Sequence, residues 1–299
     1  MKRVLGVWLV VFGVGFGCDD GAASSGGDGG DGDGQGGTVD TAADATPDEP
    51  GPALSAKVTL VALGDSLTEG IGDTEWTDAG VQRGYPDRLR AKLVARGADV
   101  QVTNLGKSGW TSSDMVKGVD WAEPKLPGQL GPAVAAVKAA VAGGRKAVAA
   151  VWIGSNDLFG LYGWCHAPDN AACEADNIAE FKTNLTDSVA ALKAAGATVV
   201  IALLDDQSKR PVVADPAFDD ILPGLDAAAA KLMTAQVGRY NAFLATLAAS
   251  EGARTVDFFS AGIFDSLPLL DADGIHPNAA GYDRITTLWE SAVDQALGP

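Results

Sequence analysis

Ser66 and His276 are the residues from which chemistry can start. Ser66 lies in Gly64-Asp65-Ser66-Leu67-Thr68-Glu69-Gly70, directly behind the apolar run Val58–Leu63. That run reads as a short buried strand. A serine on a turn past such a strand has its hydroxyl lifted out of the sheet, where doubly wound α/β proteins place their ligands. Taken alone, the same residues serve equally as a helix cap, and Asp65 reads as the residue that shapes the turn. A serine hydroxyl is a poor nucleophile at neutral pH and needs a base within hydrogen-bond reach. The chain has two histidines, His166 and His276, and Asp273 stands three residues before the second. Asp-x-x-His on a tight loop lets a carboxylate and an imidazole share one side, with Asp271 as the alternative carboxylate. Pro277 biases His276 toward an extended backbone, and Asn278 can cap a helix behind it. Such a trio is recognised by roles, not by chain order.

Five strand–helix alternations have to bring these residues together. Strands are expected at Lys57–Leu63, Asp99–Asn104, Lys146–Ile153, Thr198–Leu204 and Arg254–Phe259. Helices are expected at Asp87–Arg96, Ala133–Ala142, Asn177–Ala195, Asp226–Ser250 (with Gly238 as a weak point) and Asn278–Leu297. Strands separated by helices imply right-handed crossovers and a parallel sheet covered on both faces. Ser66 then follows the first strand, and His276 sits in the loop before the last helix.

Two further segments follow strands: Asn104-Leu105-Gly106-Lys107-Ser108-Gly109-Trp110-Thr111 and Gly154-Ser155-Asn156-Asp157. With Gly64-Asp65-Ser66-Leu67 and Asp273-Gly274-Ile275-His276-Pro277-Asn278, they resemble the four sequence blocks of the SGNH hydrolase (GDSL esterase/lipase) superfamily, in the family's order. The resemblance implies a three-layer α/β/α, flavodoxin-like fold with a five-stranded parallel sheet over roughly residues 57–298. It implies Ser66 as nucleophile, His276 as general base and Asp273 as the carboxylate that orients the imidazole. It also implies an oxyanion hole of the Ser66 N–H, the Gly109 N–H and the Asn156 side-chain amide. Gly109 suits that role because it lacks a Cβ, and Asn156 because its neutral amide donates where an ionised Asp does not. Outside the family context, Gly109 reads as a turn glycine and Asn156 as an Asx-turn residue.

The chain begins with Lys2-Arg3 and an uncharged, largely apolar run from Val4 to Gly17, short for a membrane span and suited to an export signal. Cys18 after Gly15-Phe16-Gly17 resembles the lipidated cysteine of a bacterial lipoprotein signal; an ordinary cleaved signal is the alternative. Residues 19–54 are Gly, Asp, Ala, Ser, Thr and Pro with little to bury, and read as an acidic, flexible tether. The expected organisation is therefore signal peptide 1–18, linker 19–54 and hydrolase domain 55–299, exported to the cell envelope, with the lipid anchor as its membrane contact. Residues 55–299 carry thirty acidic and twenty basic residues, about −10 of the formal −17, which argues against a nucleic-acid partner. Oligomeric state is not legible.

Cys165 and Cys173 suit a loop-closing disulfide in an oxidising compartment; metal binding with His166 would need more ligands. The segment 158–176 that holds them either walls the pocket or forms a pinned surface loop, and Trp76 and Trp110 stand near motifs as substrate contacts or as packing. No G-x-S-x-G elbow, phosphate loop, dinucleotide fingerprint or H-E-x-x-H is present, and no metal or organic cofactor is expected. The implied activity is hydrolysis of small acyl esters or lysophospholipids. Carbohydrate O-acetyl ester hydrolysis, acyl transfer and non-catalytic binding are the alternatives.

Overall fold

The apolar run Val58–Leu63 is buried throughout, as an interior strand of an α/β protein must be when helices cover both faces. The computed structural model describes residues 53–120, 124–165, 170–218, 225 and 227–298. Its strands are β1 (Lys57–Gly64), β2 (Asp99–Asn104), β3 (Lys146–Trp152), β4 (Ala197–Leu203) and β5 (Arg254–Asp257). All pairs are parallel, in the order β2-β1-β3-β4-β5. The helices are α1 (Ser66–Glu69), α2 (Gly84–Ala95), α3 (Ser112–Lys117), α4 (Leu130–Ala142), α5 (Ser155–Trp164), α6 (Asn170–Ala194), α7 (Pro211–Ala214), α8 (Ala227–Glu251) and α9 (Ala279–Leu297).

β1 and β3 are buried over nearly their whole length, while β2, at one edge, alternates exposed and half-buried residues. An aromatic cluster packs α2 and α9 to the sheet. Trp152 stacks on Phe258 at 4.2 Å between ring centroids, and Tyr85 stacks on Trp289 at 4.8 Å, geometries favoured by ring quadrupoles. Near the strands' carboxyl ends the Gln129 side chain accepts from Gly64 N–H and donates to Gly64 C=O. Gly64 is in register with Trp152 of β3, while the β2 pairing ends at Ala62, so the Gln129 amide serves the backbone groups of Gly64 that β2 does not reach.

The strands and long helices fall close to the sequence expectations, with some boundaries moved. α6 begins at Asn170, seven residues before the expected start, and β5 ends at Asp257. α8 passes unbroken through Gly238, whose exposed position makes the missing side chain cheap. The segment 158–176, expected as a pocket wall or a pinned surface loop, is largely helical in its described part, which falls in α5 and the first turns of α6 with Cys165 just past α5. Cys165 and Cys173 are bridged across the α5–α6 corner. Residues 1–52 lie outside the described residues, and so do the expectations for Cys18 and the linker; His166 does as well. Among the described residues no helix is long and apolar enough to cross a membrane.

Candidate active site

Asp65 opens the site by capping the helix that carries Ser66: its Oδ1 accepts from Leu67 N–H at 3.0 Å. Ser66 is thereby the first residue of α1, just past the end of β1. Its backbone N–H has no partner among the described residues.

His276 reaches Ser66 from 210 residues away. Its Nε2 lies 2.9 Å from Ser66 Oγ, and its Nδ1 lies 2.5 Å from Asp273 Oδ2. The other Asp273 oxygen accepts from the backbone N–H groups of Ile275 and His276 at 2.8 and 2.9 Å. Burial alone would raise the Asp273 carboxyl. The bond to the His276 ring, its charge and the two backbone donors outweigh that and hold it below the ordinary 3.8. An ionised Asp273 accepts, so Nδ1 carries the ring proton and Nε2 presents its lone pair to the serine hydroxyl. Asp271 meets the ring's residue through the backbone, its N–H donating to His276 C=O at 2.7 Å; the carboxylate at the imidazole is that of Asp273.

The loop is braced from both sides. Asn278 caps α9 by accepting from Gly281 N–H, and its amide donates to the carbonyls of Pro268 and Leu270. On the other side Gly72 abuts it, since a Cβ there would stand 2.9 Å from His276 Cβ and 2.5 Å from Pro277 C=O. No larger residue fits at position 72 without moving the histidine.

Three donor groups lie after the carboxyl ends of β1, β2 and β3: the Ser66 N–H, the Gly109 N–H and the Asn156 amide. Gly109 adopts φ +78°, and its N–H, like that of Ser66, has no partner among the described residues. The space beyond its Cα is open, so the backbone angle, rather than a close approach, is what requires glycine there. Asn156 is the second residue of α5, at a helix start that favours developing negative charge. Its amide donates one hydrogen to Trp110 C=O at 2.9 Å, leaving the other available; the Asx-turn reading does not hold, because the Leu158 N–H that such a turn would use donates to Gly154 C=O instead. Next to it Asp157 accepts from Ser112 N–H and Oγ–H, and Asn184 donates to Ser112 Oγ, tying the starts of α3 and α5 together. Burial pushes Asp157 up to about 6 against those hydrogen bonds.

The sequence reading did not single out Arg210. It is buried and forms a bidentate pair with Asp205 at 2.8 and 2.7 Å, its guanidinium lying 4.4 Å from the Phe264 ring centroid. The segment it anchors touches the histidine loop, where Val212 N–H donates to Gly274 C=O. Two charged residues five apart on a connection carry no periodic signal, so nothing in the sequence marks the pair. Trp110 is buried and packs, whereas Trp76 is 61% exposed.

Residues 62–284 match the model of the GDSL-like Lipase/Acylhydrolase family. No match is found among curated proteins. Among solved structures, an extracellular lipase from Streptomyces rimosus is 18% identical with a TM-score of 0.54, covering 79% of this chain and 99% of its own. Phospholipase A1 from Streptomyces albidoflavus NA297 is 19% identical with a TM-score of 0.54, covering 79% and 100%. An acetylxylan esterase from Geobacillus stearothermophilus is 16% identical with a TM-score of 0.51, covering 80% and 95%. At these identities the likeness is one of fold.

Proposed function

Given that the chain belongs to the GDSL-like lipase/acylhydrolase family and is an ester-hydrolysing serine hydrolase, we propose that Ser66, His276 and Asp273 are its catalytic triad. The observation that carries this reading is the continuous hydrogen-bonded chain from Ser66 Oγ through the imidazole to Asp273. In the proposed mechanism Ser66 Oγ attacks the ester carbonyl carbon while His276 Nε2 takes the hydroxyl proton. The negative charge on the carbonyl oxygen is received by the Ser66 and Gly109 N–H groups and the free Asn156 amide hydrogen. The imidazolium, stabilised by Asp273, then protonates the leaving alcohol as the C–O bond breaks. Water repeats the sequence on the acyl-enzyme, with the imidazole taking its proton and returning one to Ser66.

The proposed substrates are small acyl esters or lysophospholipids. Carbohydrate O-acetyl esters are a second reading, favoured by one observation: Trp76 lies exposed on the loop whose Gly72 abuts His276, where an indole face suits a sugar ring. Turnover of a p-nitrophenyl ester series and of acetylated oligosaccharides separates the two. The test of the mechanism is mutational. Ser66→Ala and His276→Ala should each remove nearly all turnover with the unfolding midpoint little changed, and Asn156→Ala should lower kcat by about 10²–10³-fold. Wild-type rates in the Ser66→Ala protein would defeat the proposal.

A further inference from the structure

The Gly109 N–H is presented by a loop whose other N–H groups are already committed. Gly106 N–H donates to Asn104 Oδ1 at 3.0 Å, Lys107 N–H to Gly64 C=O at 3.1 Å, and Trp110 N–H to Lys107 C=O at 3.2 Å. Ser108 donates both its N–H and its Oγ–H to one oxygen, Oε2 of Glu69, each at 2.6 Å. Glu69 is the last residue of α1, the helix that begins with Ser66. The two elements are also flush: Asn104 Nδ2 donates to Thr68 C=O, and a Cβ on Gly106 would stand 2.3 Å from Glu69 N.

From this arrangement we infer that Glu69 is a positioning residue of the oxyanion hole, fixing Ser108 so that the Gly109 N–H stays in register with the Ser66 N–H. The inference rests on the reading above in which Gly109 is an oxyanion donor. The physical need is plain. The Ser108–Gly109 peptide precedes a residue with the widest backbone freedom of any, and a donor contributes to catalysis only if it is already aimed when charge develops. Trp110 restrains the peptide from behind, through its own N–H and through the Asn156 amide on its carbonyl. Glu69 restrains it from the other side, through the two bonds to Ser108. A carboxylate is not required for this, because an amide oxygen accepts the same pair.

The test uses the full-length protein and four variants, measuring p-nitrophenyl ester kinetics, inhibition by an alkylboronic acid that forms a tetrahedral adduct on serine, and the unfolding midpoint. Glu69→Ala should lower kcat about 10-fold with KM nearly unchanged and weaken the boronic acid by a similar factor, as expected for loss of an interaction confined to the transition state. Glu69→Gln should restore most of both. Ser108→Ala, a surface change that removes one of the two bonds, should fall between them and carries the test if Glu69→Ala does not fold. Wild-type kcat and boronic acid inhibition in both Glu69→Ala and Ser108→Ala would overturn the inference. So would a lower midpoint with neither of those changed, or a Glu69→Gln protein as impaired as Glu69→Ala. Ser66→Ala, measured alongside, reports on the underlying reading: activity there defeats the triad, whereas an inactive Ser66→Ala with fully active Glu69→Ala and Ser108→Ala proteins defeats the positioning role alone.

Discussion

Asp65 holds a fully buried carboxyl beside the nucleophile, with the Leu67 N–H as its hydrogen-bond donor among the described residues. Burial pushes it up from the ordinary 3.8 to about 7, against that donor and the nearby charge of Arg210. The consequence for stability has a definite sign. Between about 4 and about 7 the folded protein keeps a proton on Asp65 that the unfolded chain has released, so stability falls as pH rises through that window and levels off above it. The full effect is on the order of 4 kcal/mol, at about 1.4 kcal/mol for each tenfold step. Asp157, raised to about 6 by burial, acts in the same direction over a narrower window. Asp65→Asn keeps an oxygen for the Leu67 N–H but cannot ionise. Its stability relative to wild type, measured by urea unfolding at about pH 5 and about pH 8, should improve at the higher pH by a few kcal/mol. An unchanged difference would show that Asp65 ionises at its ordinary pH inside the fold. Asp65 is thus a residue whose turn-shaping role the sequence disclosed and whose protonation it did not, since that depends on what covers it.

At the scale of elements, each piece of the site comes from a strand end or a helix start. β1 delivers Ser66, the loop after β2 delivers Gly109, the turn after β3 delivers Asn156, and the loop before α9 delivers Asp273 and His276. This framework was legible because buried parallel strands are nearly continuous apolar runs and Asn278 is a recognisable cap. α1, α3 and α5 were not. α1 and α3 are only four and six residues long, too short to show a period. α5 contains Gly160 and Gly163, which argue against a helix on propensity. Burial of Leu158 and Tyr162, with the Tyr162 hydroxyl hydrogen-bonded to Leu232 C=O and Glu174, decides it instead. The β4–α8 connection was silent in the same way, yet it braces the histidine loop through Val212 and is pinned by Arg210–Asp205. Removing one member of a buried pair strands the other, at a cost of about 3–5 kcal/mol. Arg210→Met should therefore lower the unfolding free energy measured in urea by that much and also slow ester turnover through the Gly274 contact. Stability unchanged from wild type would mean that Asp205 finds another partner in the variant.

On the scale of the whole molecule, the described residues fall in one compact unit, and the proposed triad, the proposed oxyanion donors and their braces all lie within it. Among the described residues, no hydrogen bond of the Ser66, His276 and Asp273 side chains or of the Asn156 amide involves a residue before Gly64. We propose that chemistry and address are separable in this chain. The composition of residues 1–54, with its basic start, apolar run, Cys18 and polar Gly/Asp tract, has the features of targeting and spacing rather than of a core. A protein trimmed to residues 55–299 is accordingly expected to match the full-length kcat/KM on a soluble p-nitrophenyl ester to within about 2-fold. The full-length chain expressed in a bacterium should incorporate an alkyne-tagged fatty acid and pellet with membranes. Cys18→Ala should lose both properties and keep its esterase rate. A single acyl chain gives only marginal membrane binding, so the modification must bring more than one chain for the pelleted fraction to survive a wash. Fatty-acid incorporation that persists in the Cys18→Ala protein would place the lipid elsewhere and end the anchor proposal. A trimmed protein that folds but has lost most of its turnover would show instead that the first 54 residues take part in the site.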